Sequence, residues 1–147
     1  MSTEHQLVEV EAWERGARLG TLGVVEQDGV LMEARLAAAW CQMRDAAAAD
    51  GVALVPTSGF RTMEEQQQLW AEHVSGQRPT PVARPGYSNH QSGRALDISV
   101  HDCTTSPEYC WLEAHAGEYG FRNVGAGFSR PEWWHWEWAP VAKTLAA

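Results

Sequence analysis

Residues 132–138 read Glu-Trp-Trp-His-Trp-Glu-Trp, so four of the chain's eight tryptophans lie within Trp133–Trp138. A block of indoles this dense is costly to bury and marks either a core wall or the wall of a ligand cleft. Read as a strand, it places Trp134, Trp136 and Trp138 on one face and Trp133, His135 and Glu137 on the other. Sheet packing alone is reason enough for at least two of the four rings. The segment therefore calls for a sheet with a substantial apolar partner, and a histidine stands in its middle.

The rest of the chain supplies partners. Residues 31–50 carry one apolar stripe of Leu36, Ala39, Trp40, Met43 and Ala47, which predicts a helix closed by Gly51. Val52–Pro56 reads as a short strand. Thr62-x-x-Glu65 is a capping box and predicts a second helix. Residues 75–89, rich in Gly, Pro, Ser and Asn, read as a loop. Arg94–Val100 alternates as a strand. Ser106-Pro107 opens a third helix that ends near Gly120. Phe121–Val124 and Glu132–Trp138 read as strands, and Ala139–Ala147 as a short terminal helix. Residues 1–30 show short apolar pieces and a turn at Gln27-Asp28-Gly29 but no clear element. The irregular order of helices and strands predicts an α+β fold with a mainly antiparallel sheet flanked by helices. At 147 residues, the whole of 1–147 is expected to form one domain.

Charge and composition exclude several functions. A net charge of -8 leaves no basic footprint for nucleic acid or for simple attachment to an anionic wall. No apolar run is long enough to cross a membrane, and the first residues lack the basic start and apolar stretch of a signal peptide. The expectation is a cytoplasmic chain, one released by a route not written in the sequence, or a mature fragment. Cys103 and Cys110 are near enough in sequence for a small disulfide loop in an oxidising compartment, or stand as two ordinary thiols. Cys41 reads as core.

The chemistry gathers in two places. In the strand Arg94–Val100, Leu96, Ile98 and Val100 point to a core, so Asp97 emerges on the other face beside the small Ala95 and Ser99. His90, seven residues earlier on a loop, can converge on the same point. His135 offers a second imidazole. Two His and one Asp are a recurring ligand set for catalytic zinc, which needs a carboxylate nearby to move a proton. Glu132 and Glu137 compete for that role. Strict alternation puts Glu132 on the face opposite His135, unless it sits at the strand entrance where Pro131 disturbs the ladder. Glu137 shares the face of His135.

These residues carry a resemblance. Ser88-x-His90-x-x-Gly93-x-Ala95-x-Asp97 resembles the S-x-H-x-x-G-x-A-x-D motif of the VanY-like D-alanyl-D-alanine carboxypeptidases, zinc metallopeptidases sharing a fold with the hedgehog signalling domain and the lysostaphin-type peptidases. Glu132-x-x-His135 resembles their E-x-x-H, and Ser58-Gly59-Phe60-Arg61-Thr62, followed by Gln66, resembles their S-G-[YF]-R-[ST] segment. The motifs keep the family's order, and the resemblance covers roughly residues 31–138.

The resemblance implies one Zn2+ per chain on His90, Asp97 and His135. It implies Glu132 as general base and then acid, Arg61 as partner of the developing oxyanion, and Ser88 and Gln66 lining the substrate cleft. The implied substrate is a peptidoglycan stem peptide or muropeptide, cut by a monomer as a D-Ala-D-Ala carboxypeptidase. Alternatives are an L-alanyl-D-glutamate endopeptidase of the phage endolysin type, delivered to the wall by a phage or holin route, and a zinc-binding recognition module without catalysis. His115 reads as a core histidine on the third helix; His5, His73 and His101 acquire no role.

Overall fold

The computed structural model describes residues 6–142, and two antiparallel sheets organise them. The first is local. Strands β1 (Val8–Glu14), β2 (Ala17–Gln27) and β3 (Val30–Glu33) pair in chain order. Both connections are two-residue turns whose central residues have positive φ, Arg15-Gly16 at 52° and 79° and Asp28-Gly29 at 51° and 88°. This is the turn whose twist matches that of antiparallel strands. Asp-Gly announces it in the sequence and Arg-Gly does not, and the faces of β1 and β2 are mostly exposed or half-buried. The strands over residues 8–27 are therefore a finding of the structure.

Helix α1 (Ala34–Ala49) follows without a gap. The Glu33 carboxylate accepts from the backbone N–H groups of Arg35 and Leu36 at 3.0 and 2.9 Å, which caps its start. Gly51, at φ 81°, closes its end, with the Val52 N–H reaching back to the Ala47 carbonyl at 2.8 Å. The helix is shorter than expected at its N-terminus because residues 30–33 are strand. Its stripe of Leu36, Ala39, Trp40, Met43 and Ala47 is buried as the spacing predicts.

The second sheet draws its strands from the remainder of the chain in the order β4 (Pro56–Ser58), β5 (Ala95–Ile98), β7 (His135–Trp138), β6 (Phe121–Arg122). Strand β4 begins where the strand expected at 52–56 ends. Helix α2 (Met63–Val74) starts at the Thr62 capping box, with both reciprocal hydrogen bonds formed. Helix α3 (Pro107–His115) starts at Ser106 and runs into a 3₁₀ turn, Ala116–Tyr119. Leu96, Ile98, Val100, Trp136 and Trp138 join α1 and α3 in one apolar core. The fold is α+β. The terminal helix expected over 139–147 falls largely outside the described residues, as does His5. No helix among the described residues is long and apolar enough to cross a membrane.

Strand β7 is three residues shorter than expected. A turn precedes it, in which the His135 N–H donates to the Glu132 carbonyl at 3.1 Å. That turn removes the alternation conflict, since Glu132 is not a strand residue at all. A 3₁₀ turn at Val124–Gly127 lies against it, and the Glu132 N–H donates to the Gly125 carbonyl at 2.9 Å. A Cβ on Gly125 would collide with the Glu132 carbonyl and the His135 Cβ, so only glycine permits this approach.

Candidate metal centre

Sheet register builds the centre first. Asp97 on β5 stands directly opposite His135 on β7 and Ser58 on β4. A one-residue slip of β7 would put Trp136 there instead and turn its core face outward. His90 comes from a loop with no regular structure, yet it is 6% exposed. Side-chain hydrogen bonds lock that loop. The buried Gln91 accepts from the Gly86 N–H at 2.8 Å, Ser88 Oγ accepts from the His90 N–H at 3.2 Å, and Ser92 Oγ donates to the Asn89 carbonyl at 2.8 Å. The first sheet clamps the same loop from outside: the Trp13 N–H donates to the Gln91 carbonyl at 3.0 Å and the Gly16 N–H to the Gly86 carbonyl at 2.9 Å. An ion pair between Arg94 and Glu14 extends this contact.

The donor atoms of His90, Asp97 and His135 all lie within 4.8 Å of one another. Asp97 Oδ1 is 3.3 Å from His90 Nε2 and 3.2 Å from His135 Nδ1. The outer nitrogen of each ring is already engaged. His90 Nδ1 donates to the Gly59 carbonyl at 2.8 Å, and His135 Nε2 faces Glu137 Oε2 at 3.4 Å. A second acceptor of this kind fixes the imidazole tautomer and leaves a lone pair on the inner nitrogen. Two inner lone pairs and one carboxylate, all buried, fit a divalent transition ion. Gly59 can serve as an outer acceptor because it has no Cβ; one would run into the Leu31 carbonyl.

Without an ion the same groups hold each other by charge. Burial disfavours the charged form of Asp97, but hydrogen bonds from His135 and His90 outweigh it and hold the carboxyl at about 2. Burial likewise works against a protonated His135, and the hydrogen bonds to Asp97 and Glu137 overcome it and raise the ring to about 9. The bond with His135 draws Glu137 below the usual carboxylate range. Glu137 also accepts from Asn89 Nδ2 at 2.6 Å.

Glu132 stands apart from this ring of buried groups. Its Oε1 is 3.9 Å from His135 Nδ1, on the inner side, and its side chain is 40% exposed. It faces a cleft of about 430 Å³ that also holds Arg61, Ser88, His90, Asp97 and His135. Glu137, the rival carboxylate, sits on the opposite nitrogen of the same ring and does not line this cleft. Arg61 is positioned by its own backbone N–H, which donates to the His90 carbonyl at 3.0 Å. Its guanidinium donates to Gln66 Oε1 at 2.9 Å and Ser58 Oγ at 3.3 Å. Burial lowers its pKa, partly offset by attraction to Asp97, Glu65 and Glu132.

Gln66 departs from the expected placement. It is fully buried on α2, bonded to Arg61 and, through Nε2, to the Ala83 carbonyl at 2.6 Å. It stands behind Arg61 rather than on the cleft wall, so it steers the guanidinium. Ser88 does line the cleft, while its hydroxyl holds the His90 loop. Gln91, Asn89 and the Gly59 carbonyl are unannounced in the sequence except by their neighbours in the motifs. Phe128, whose ring lies 5.2 Å from that of His135, is likewise unannounced in the sequence; it shares the cleft wall with Trp134, the member of the tryptophan block that lines the cleft.

The other histidines lie elsewhere. His73 pairs with the Arg78 carbonyl at 2.9 Å and His101 with Glu108 at 3.4 Å. His115 is half-buried against the Trp111 ring at 4.7 Å, at the edge of the core rather than within it. Cys41, Cys103 and Cys110 are free thiols.

Three buried donors converging beside a cleft suit a metal-dependent enzyme, and sequence comparison gives the family. The chain belongs to the VanY D-alanyl-D-alanine carboxypeptidase family, whose model matches residues 29–141. A D-alanyl-D-alanine carboxypeptidase of Enterococcus faecalis is 38% identical over 93 residues, which span 52% of this chain and 34% of that protein. The chain spans about a third of the length of the curated relatives it matches. A crystal structure of a vancomycin-resistance D,D-pentapeptidase VanY variant in complex with Zn(II) is 26% identical, with a TM-score of 0.66 over 85% of this chain and 83% of that one. VanYB in complex with D-alanine-D-alanine is 24% identical and shares the fold at a TM-score of 0.69, over 91% and 88% of the two chains.

Proposed function

We propose that the chain is a zinc-dependent carboxypeptidase that removes the terminal D-Ala from peptidoglycan stem peptides. The observation that carries this reading is the inner geometry of the centre. Three buried donors converge, and Glu132, the half-exposed carboxylate of the two lining the cleft, lies 3.9 Å from His135 Nδ1. The family, the zinc complex of a VanY relative and the D-alanine-D-alanine complex of another support the metal and the substrate class.

When bound, zinc supplies Lewis acidity, making water acidic near neutral pH and polarising a carbonyl. The chain's own residues do the remainder. Glu132 accepts the proton of the attacking water and returns it to the leaving amine. Arg61, held by Gln66 and Ser58, offers permanent charge to the oxygen that becomes negative. Phe128 and Trp134 on the cleft wall limit access of bulk water. His90, Asp97 and His135 hold the ion, with Gly59 and Glu137 fixing the rings.

The test is a digest of muropeptides by the zinc-loaded protein, read by HPLC and mass. Loss of one D-Ala from pentapeptide stems is the expected product. Cleavage between L-Ala and D-Glu would reassign the chain as an endopeptidase. No product from zinc-loaded protein would leave a recognition module.

A further inference from the structure

Arg78 is the one charged residue lining the cleft to which neither the motifs nor the proposed mechanism gives work. We propose that it receives the C-terminal carboxylate of the peptide, and so makes the cleft prefer a chain end over a chain interior. This rests on the carboxypeptidase reading above and supplies the selectivity that reading lacks.

Arg78 enters the cleft from the segment that follows α2. Its backbone N–H donates to the Glu72 carbonyl at 3.0 Å, and its own carbonyl pairs with His73 Nδ1 at 2.9 Å. Nε and Nη2 both reach Glu72 Oε1 at 3.3 Å. Glu72 thus occupies one edge of the guanidinium and aims it, while the side chain remains 44% exposed. Arg61 is the opposite case, half-buried and committed to Gln66 and Ser58. The two are close enough for repulsion from Arg78 to be one of the causes that lower the Arg61 pKa. Two arginines thus face one cleft, and the carboxylates that line it with them, Asp97 and Glu132, already have work with the metal and the proton.

A carboxypeptidase substrate presents two negative groups at the site of reaction. One is the scissile carbonyl oxygen, which gains charge during attack. The other is the terminal carboxylate, on the far side of the scissile nitrogen. A guanidinium given to the first leaves the second in need of another cation, and a planar fork suits a carboxylate. A peptide cut at an internal bond offers no carboxylate there, so Arg78 would then have nothing to bind.

The experiment compares a peptide ending in D-Ala-D-Ala as free acid with its C-terminal amide, using zinc-loaded wild type, Arg78→Ala, Arg78→Lys and Glu72→Gln. Wild type should favour the acid. Arg78→Ala should raise KM for the acid by about tenfold to a hundredfold, the range for a charged hydrogen bond. It should leave KM for the amide and zinc content unchanged. Arg78→Lys should keep part of the preference, and Glu72→Gln should keep most of it. If wild type treats acid and amide alike, or Arg78→Ala alters both or neither, the inference is overturned. If Glu72→Gln reproduces Arg78→Ala, Arg78 is only a tie for its loop and the inference is likewise overturned. Wild type that hydrolyses neither peptide would sink the carboxypeptidase reading, and this inference with it.

Discussion

The sheet of β1, β2 and β3 and the sheet of β4, β5, β7 and β6 differ in how far along the chain their partners lie. In the first, each strand pairs with the next through a two-residue turn, and much of its surface meets water. In the second, β5 sits between strands that begin 39 residues before it and 40 after it (Pro56 to Ala95, and Ala95 to His135), and both faces are largely covered. Among the described residues, the cluster able to hold a metal draws Asp97 and His135 from the second sheet and His90 from the loop before it. The first contributes two backbone hydrogen bonds and an ion pair to the loop that bears His90. The local sheet can tolerate change, whereas the distant pairing that sets Asp97 against His135 cannot shift by a residue without dispersing the centre.

The largest expected effect lies in the second sheet's cleft. Glu132→Ala should lower turnover by about 10²–10⁴-fold while zinc content, measured by atomic emission, stays at one per chain. Loss of the metal together with activity would make Glu132 a ligand or a structural residue. Arg61→Ala should lower turnover by about a hundredfold or more with little change in KM. A variant with normal turnover would remove its oxyanion role, and Gln66→Ala should move in the same direction by less.

Glu137→Gln sharpens the contrast between holding and reacting. Zinc affinity should fall by about tenfold to a hundredfold, measured by competition with a chromogenic chelator, with Glu132 chemistry otherwise intact. The pH dependence has a definite sign. His135 at about 9 must lose its proton to accept a metal, so affinity in wild type should climb about tenfold per pH unit up to that point. Glu137→Gln should bring the plateau to lower pH. In metal-free protein the upward shift of His135 from 6.5 contributes stability that is complete below pH 6.5 and lost as pH rises through 9. The downward shift of Asp97 from 3.8 contributes stability present above that value and lost as pH falls through 2. A melting temperature of metal-free protein that rises between pH 6.5 and 9 would contradict this pairing. At the small end, Leu19→Ser on the first sheet, at a side chain 52% exposed, should change stability by no more than about 0.5 kcal/mol in urea titrations and leave zinc affinity alone.

What the sequence reveals tracks the same division between local and distant contacts. The stripe of α1, the Thr62 box and Ser106-Pro107 are local patterns, and the structure contains them where the spacing predicts. Asp97 emerges by alternation on β5, and Leu96, Ile98 and Val100 fill the core behind it. The β1–β2 turn escapes notice because Arg15 takes a left-handed conformation that no residue type there announces. Glu132 presents a conflict in sequence because alternation assumes a strand, and a turn held by the Gly125 carbonyl stands in its place. Gln66 reads as a cleft residue because a motif names a position but not a direction. Gly59 acts through its carbonyl on His90, and Gln91 through its carbonyl on Trp13 and its side chain on Gly86, contacts that spacing cannot display.

Crystals of the zinc-loaded protein, measured on both sides of the zinc absorption edge, would bear most directly on all of this. The account predicts a single anomalous peak per chain, within bonding distance (about 2.0–2.2 Å) of His90 Nε2, His135 Nδ1 and an Asp97 carboxylate oxygen. A peak at other residues, or none in protein that binds zinc in solution, would contradict it.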